Sequence, residues 1–174
     1  MNRIVPLCRI LGLGFWLVLG PMHALQAETE DALKASYLYK FTKFIEWPPE
    51  TGQNQIFCIL GEEKSDLFRE ALAGKQSQGQ PIILVDARRR SDLRTCRVLY
   101  IDSAESWKST ALLQELQGKP VLTVSDAPGF AAQGGMIELQ REGEHLRFSL
   151  NRIAALKAGL IFSAPLLELA VRLY

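Results

Sequence analysis

Four short apolar runs constrain this chain more than any other feature: Ile56 to Leu60 (IFCIL), Ile82 to Val85 (IILV), Val98 to Ile101 (VLYI) and Val121 to Val124 (VLTV). Each has the length of a strand, is bounded by polar or Gly/Pro residues, and is apolar throughout rather than alternating. A strand with apolar side chains on both faces must be covered on both faces, which is the condition of a sheet between two helical layers. The segments between the runs suit this. Ser65 to Ala73 and Ser106 to Leu116 have helical spacing behind a serine able to cap, and Ser91-Asp92-Leu93 reads as a shorter turn. Strand and helix in alternation predict parallel pairing.

After the fourth run the pattern changes. Met136 to Leu139 and Leu146 to Leu150 flank a polar, glycine-containing tip (QREGEH), the signature of an antiparallel hairpin. Asn151 then stands where it can cap an Ala-rich helix interrupted by Gly159, and Ser163-Ala164-Pro165 restarts a last helix through Leu166, Leu169 and Leu173. At the other end, Leu33, Tyr37, Phe41 and Phe44 recur at helical spacing, widened by Leu38 and Ile45. This predicts an amphipathic helix from Thr29, its cap, to Trp47, ended by Pro48 and Pro49. Together these elements predict a three-layer, Rossmann-like α/β domain with a mixed sheet, a C-terminal hairpin and closing helices.

The first 27 residues are set apart from that domain. Arg3 and Arg9 precede an uncharged apolar run, Ile10 to Gly20, and Pro21 breaks it before the small residues Ala24 and Ala27. This is the layout of a secretory signal peptide, with cleavage expected near Ala27 and residues 28–174 forming the exported domain. The apolar run is about half the ~20 residues that span a bilayer, so a retained anchor is disfavoured. Without Arg3 and Arg9 the chain keeps 18 basic against 19 acidic side chains, which argues against nucleic-acid binding. Its 48% apolar content argues against disorder.

Few residues point to chemistry. Residues 28–174 offer Cys58, Cys96 and His145, too few nitrogen and sulfur ligands for zinc, and no metal or cofactor is expected. His145 falls near the hairpin tip, where a solvated histidine is the ordinary outcome, and no nucleophile motif accompanies it. Ser125 and Asp126 stand at the carboxyl end of the fourth run, where open α/β sheets place their ligand crevice, and Gly129 lies close behind. These three define a candidate crevice, against the alternative of a hydrogen-bonded turn. An even cysteine count in an exported chain points to a Cys58–Cys96 disulfide, with two buried thiols as the alternative. Tyr39 and Trp47 fall partly off the apolar stripe of the first helix and are candidate contacts for a partner protein, since rigid aromatics supply contact area at low entropic cost.

Several segments taken in order resemble one family. They are Ala32 to Phe41 (ALKASYLYKF) with Phe44 to Pro48 (FIEWP), Ile56 to Gly61 (IFCILG), Pro120 to Asp126 (PVLTVSD) with Gly129-Phe130-Ala131 and Gly134 to Ile137 (GGMI), and Arg147 to Asn151 (RFSLN) with Ala158-Gly159-Leu160. This set resembles the YfiR family of exported bacterial proteins. The resemblance implies a compact periplasmic α/β domain, often a homodimer, that regulates rather than catalyses. It implies binding to the periplasmic sensor domain of an inner-membrane diguanylate cyclase, repression of that cyclase, and relief by an outer-membrane lipoprotein that sequesters the regulator. Cyclic di-GMP output, and with it biofilm formation, would then be set from outside the cytoplasm. Cys58 and Cys96 match a cysteine pair of the family, whereas the further pair some members carry in the later loop region is absent. The competing expectations are a periplasmic small-molecule-binding protein using the Ser125, Asp126 and Gly129 crevice, and an exported hydrolase relying on His145 or Asp126.

Overall fold

A computed structural model describes residues 30–49, 55–62 and 64–174. The expected leader and the capping Thr29 lie outside the described residues. The chain runs through helix α1 (Glu30–Phe41), strands β1 (Ile45–Glu46) and β2 (Gln55–Leu60), helix α2 (Lys64–Leu72), and strands β3 (Gln76–Ser77) and β4 (Gln80–Asp86). Two 3-10 turns lead to β5 (Val98–Ile101), and a 3-10 stretch, Ser103–Lys108, runs into α3 (Ser109–Glu115) and β6 (Leu122–Ser125). Then follow β7 (Ile137–Glu142), β8 (His145–Leu150), α4 (Arg152–Lys157), β9 (Ile161–Phe162), α5 (Ala164–Glu168) and β10 (Arg172–Leu173).

Eight strands form one mixed sheet in the order β10-β8-β7-β6-β5-β2-β4-β3, and β1 pairs with β9 apart from it. From β4 through β2, β5 and β6 to β7 the neighbours are parallel, as alternation with helices requires. β7 and β8 form the expected antiparallel hairpin, with Glu142 opposite His145 across a two-residue turn. Gly143 supplies the positive φ (61°) that turn needs. Along each central strand alternate side chains enter opposite layers. Phe57, Ile59, Val98, Tyr100, Leu122 and Val124 pack with α1, α2 and the segment around Leu160. Cys58, Leu60, Leu99 and Ile101 pack on the opposite face with Leu112, Leu116 and Phe130. The result is the expected three-layer domain, and the apolar runs are apolar throughout because both faces are covered. β4 departs from this, with Ile83 51% exposed, because it lies next to the sheet edge, where only two-residue β3 flanks it.

Two expected helices are shorter than their sequence patterns. The first stops at Phe41 instead of reaching Trp47. Thr42 Oγ1 donates to the Tyr39 carbonyl (2.7 Å), and the amides of Lys43 and Phe44 bond back only three residues (3.0 and 2.9 Å). Ile45 and Glu46 then pair with Phe162 and Ile161, so strand pairing outcompetes a further helical turn. The last helix stops at Glu168 rather than Leu173, because Arg172 and Leu173 pair with Ser149 and Leu150 as an edge strand.

The Asn151 cap forms as expected. Its Oδ1 accepts from the Ala154 amide (2.8 Å), and its Nδ2 donates to the Ala131 carbonyl (2.7 Å), tying α4 to the loop before β7. Asn151→Ala is expected to cost about 1–2 kcal/mol in denaturant unfolding, and Asn151→Asp, which keeps the accepting oxygen, should recover part of it. A loss of only a few tenths would show that the cap contributes little.

Candidate functional site

The carboxyl ends of β2, β5 and β6 converge, and acidic residues follow two of them directly: Asp102 after β5 and Asp126 after β6. α1 and α2 bring two lysines over these strand ends. Lys34 Nζ lies 2.6 Å from Asp126 Oδ2 and 2.8 Å from Glu30 Oε1. Lys64 Nζ lies 2.8 Å from Asp102 Oδ2 and 2.9 Å from Asp31 Oδ1. Lys34 is 4% exposed, so its ammonium group depends on these carboxylates for solvation. Burial alone would raise the Asp126 pKa, but the Lys34 hydrogen bond, the charges of Lys34 and Lys64, and the Ser103 amide together bring it below the usual carboxylate range. Burial likewise opposes the charge on Lys64, and its hydrogen bonds to Asp102 and Asp31 outweigh that, raising its pKa. Beneath them the Tyr100 hydroxyl is held protonated, by burial first and then by the facing Asp126 and Asp102. The network locks both helices onto the strand ends.

The crevice residues separate in this setting. Ser125 is fully buried, and its Oγ accepts from the Ala127 amide (3.0 Å). The Gly129 amide donates to Glu138 Oε1 (3.0 Å), whose second oxygen takes the Ala131 amide (3.0 Å). The Ser125 bond is a local turn, and the Glu138 bonds tie the loop to β7. Asp126 alone of the three lines a cavity, of about 330 Å³, which it shares with Lys34, Pro128, Glu138 and Arg141. Gly135 closes the same loop at its far side, where a Cβ would stand 2.1 Å from the Phe130 ring.

The candidate contact residues are half-buried. The Tyr39 ring packs on the core and faces the ammonium groups of Lys43 and Lys75 (4.5 and 5.3 Å from its centroid). Trp47 also packs on the core, with the Arg97 guanidinium 4.1 Å above its ring. The more exposed apolar side chains lie elsewhere. Leu169 (65% exposed) and Phe44 (40%) rim a groove of about 250 Å³ between α1, β8 and α5, floored by Tyr37, Leu146 and Phe148. Helical spacing had marked Phe44 for the core, and the early end of α1 releases it to the surface. Lys34 was legible in principle, since it shares the buried side of α1 with Leu38 and Phe41, where a lysine needs an acidic partner.

Cys58, in the middle of β2, and Cys96, just before β5, are joined as a disulfide with Cα atoms 5.9 Å apart. His145 is exposed beside the hairpin turn, as expected. Among the described residues no three His, Cys, Asp or Glu side chains are grouped to hold a metal ion.

Comparison with known proteins gives a family match over residues 31–171, to the family described as YfiR/HmsC-like. The chain belongs to the YfiR/HmsC-like family. The Cys58–Cys96 bond suits an oxidising compartment. The YfiR/HmsC-like fold is also similar to a crystal structure, that of a conserved domain protein from Vibrio cholerae O1 biovar El Tor. The TM-score is 0.59 at 10% identity, over 84% of this chain and 60% of that one. The likeness is one of fold, and the chain spans about 60% of the length of that structure.

Proposed function

We propose that this chain is an exported periplasmic repressor, with residues 1–27 as its leader, which binds the periplasmic sensor domain of an inner-membrane diguanylate cyclase and lowers cyclic di-GMP output. Family membership supports the pathway, and the observation that carries a contact mechanism is the apolar groove rimmed by Phe44 and Leu169, an exposed surface of the kind protein partners cover. A regulator of this sort acts by preferring one conformation of its target, because only differential affinity shifts an equilibrium. An outer-membrane lipoprotein that competes for the regulator would relieve repression and raise biofilm formation, and a homodimer would present the surface twice. Titrating the purified sensor domain with this protein while following cyclase activity tests the reading. Saturable inhibition supports it, and absence of both binding and inhibition rejects it.

Tyr39 and Trp47 belong to the proposal through the edges they keep in solvent. Trp47→Ala is expected to weaken sensor binding about tenfold, with a stability loss from the abandoned core contacts and the Arg97 stack. Unchanged affinity together with a lowered melting temperature would assign Trp47 to the core alone.

A second reading, a small-molecule signal carrier, rests on the cavity beside Asp126, where Lys34, Glu138 and Arg141 bring both signs of charge to one opening. A thermal-shift screen of polar metabolites distinguishes it, because a ligand of the folded state raises the melting temperature with concentration.

A further inference from the structure

The outer edge of β8 is covered over only part of its length. β10 pairs with it at Ser149 and Leu150, leaving the stretch from His145 to Phe148 without a strand beside it among the described residues. The two-residue turn makes Glu142 and His145 the first hydrogen-bonded pair of the hairpin, so His145, Arg147 and Ser149 direct their backbone groups to β7. Leu146, Phe148 and Leu150 therefore direct theirs outward. The outer bonds agree: Val171 donates to the Phe148 carbonyl (2.9 Å), Tyr174 to the Leu150 carbonyl (2.8 Å), and the Tyr37 hydroxyl to the Leu146 carbonyl (3.0 Å). A side chain thus occupies the position a neighbouring strand would take.

This edge opens into the apolar groove rimmed by Phe44 and Leu169, whose lining carries two cations, Lys40 and Arg147, and no carboxylate. Arg147 shares a loose, exposed pair with Glu142 (3.4 Å), the kind readily exchanged for another carboxylate. From these features we infer that the β8 edge receives an extended acidic segment of a partner protein as an added strand. Its alternate apolar side chains enter the groove, and its carboxylates meet Lys40 and Arg147. Main-chain bonds to the Leu146 amide and carbonyl and to the Phe148 amide supply affinity, the Phe148 carbonyl being already held by Val171, and the groove supplies selectivity. Tyr37 acts as an edge guard that such a strand displaces. The inference deepens the proposed function by naming the kind of segment the sensor domain would present.

The test uses two synthetic peptides, acetyl-Glu-Val-Glu-Phe-Glu-Leu-Glu-amide and its counterpart with lysine at every glutamate. The acidic peptide is expected to bind at least about tenfold more tightly, and to slow hydrogen exchange at the Leu146 and Phe148 amides. Leu169→Glu should abolish binding at an unchanged melting temperature, since that side chain is exposed. Tyr37→Phe should tighten binding about fivefold, because the Leu146 carbonyl no longer has to be released from the hydroxyl. A helical ligand lying in the groove would gain nothing from that change. Equal affinity for both peptides, no binding, or unprotected edge amides would overturn the inference. The sensor domain is titrated against the same variants. If it binds and ignores Leu169→Glu while the peptides fail, the strand-addition inference falls and the repressor reading survives. If the peptides behave as expected and the sensor domain does not bind, the groove stands and the cyclase partner is wrong.

Discussion

Lys34→Met is expected to destabilise the domain by about 3 kcal/mol, because it removes a buried ammonium group while leaving its carboxylate partners in place. Methionine retains most of the apolar stem of lysine, so the loss reports the charge and not a cavity. The side chains of Lys34 and Asp126 are 5% and 11% exposed, so solvent screens their pair weakly. The pH dependence identifies the cause. In the native protein the Asp126 pKa is lowered, so its contribution is complete above the unfolded value of about 3.9 and is lost as pH falls through the lower folded value. Lys64, with a raised pKa, contributes fully below the unfolded lysine value of about 10.4 and is constant over acidic and neutral pH. Without Lys34 the strongest interactions that hold the Asp126 pKa down are gone, so that pKa should rise and protonation should cost the variant less than the native protein. The stability gap between variant and native protein should therefore narrow from pH 7 to pH 4, as followed by urea unfolding. A loss under about 1 kcal/mol, or a gap that does not change with pH, would show that the pair is not a principal lock between α1 and the sheet.

Reduction of the Cys58–Cys96 bond is the second large effect. The bond closes a loop of 38 residues in sequence separation, and in the chain-entropy account this stabilises the folded state by about 4 kcal/mol. For a domain of this size that corresponds to a melting temperature lower by roughly 8–16 °C in reductant. Both sulfur positions are buried, at 0% and 3% exposure, so reduction should be slow under native conditions and fast once the domain opens. Differential scanning calorimetry with and without reductant, paired with intact mass to confirm the gain of two hydrogens, measures it. Oxidised and reduced samples melting within about two degrees of each other would show that the crosslink adds little to a core already sufficient. The double variant Cys58→Ala, Cys96→Ala separates loss of the crosslink from introduction of two buried thiols.

Much of the sheet could be read from local pattern because its determinants are local. VLYI became β5 at the expected bounds, and the hairpin formed around QREGEH, although pairing runs on to Glu142 and His145 and leaves a two-residue turn in place of the six-residue tip. Asn151 likewise revealed its cap, a bond spanning three residues. The misreadings arise where a distant partner decides. Phe44 and Ile45 continue a helical stripe, yet β9, more than a hundred residues later, draws Ile45 into a strand. Leu169 and Leu173 have helical spacing, yet β8 takes the segment beyond Glu168 as an edge. The apolar groove is hidden for the same reason, because its rim residues look like core residues until those two helices stop early. The charge network was half visible. Asp126 is legible from its place after a strand, but its partner Lys34 lies 92 residues earlier, and only the fold brings the two together.

The walls of the groove come from residues 37–44, 146–148 and 166–169, and β9 and β10 supply strands to both sheets from residues 161–173. A polypeptide threaded through a membrane from its amino end would therefore expose α1 long before the residues that finish this surface have emerged. If the chain is exported as proposed, this surface cannot be assembled piecemeal and is complete only after translocation has delivered residues 161–173.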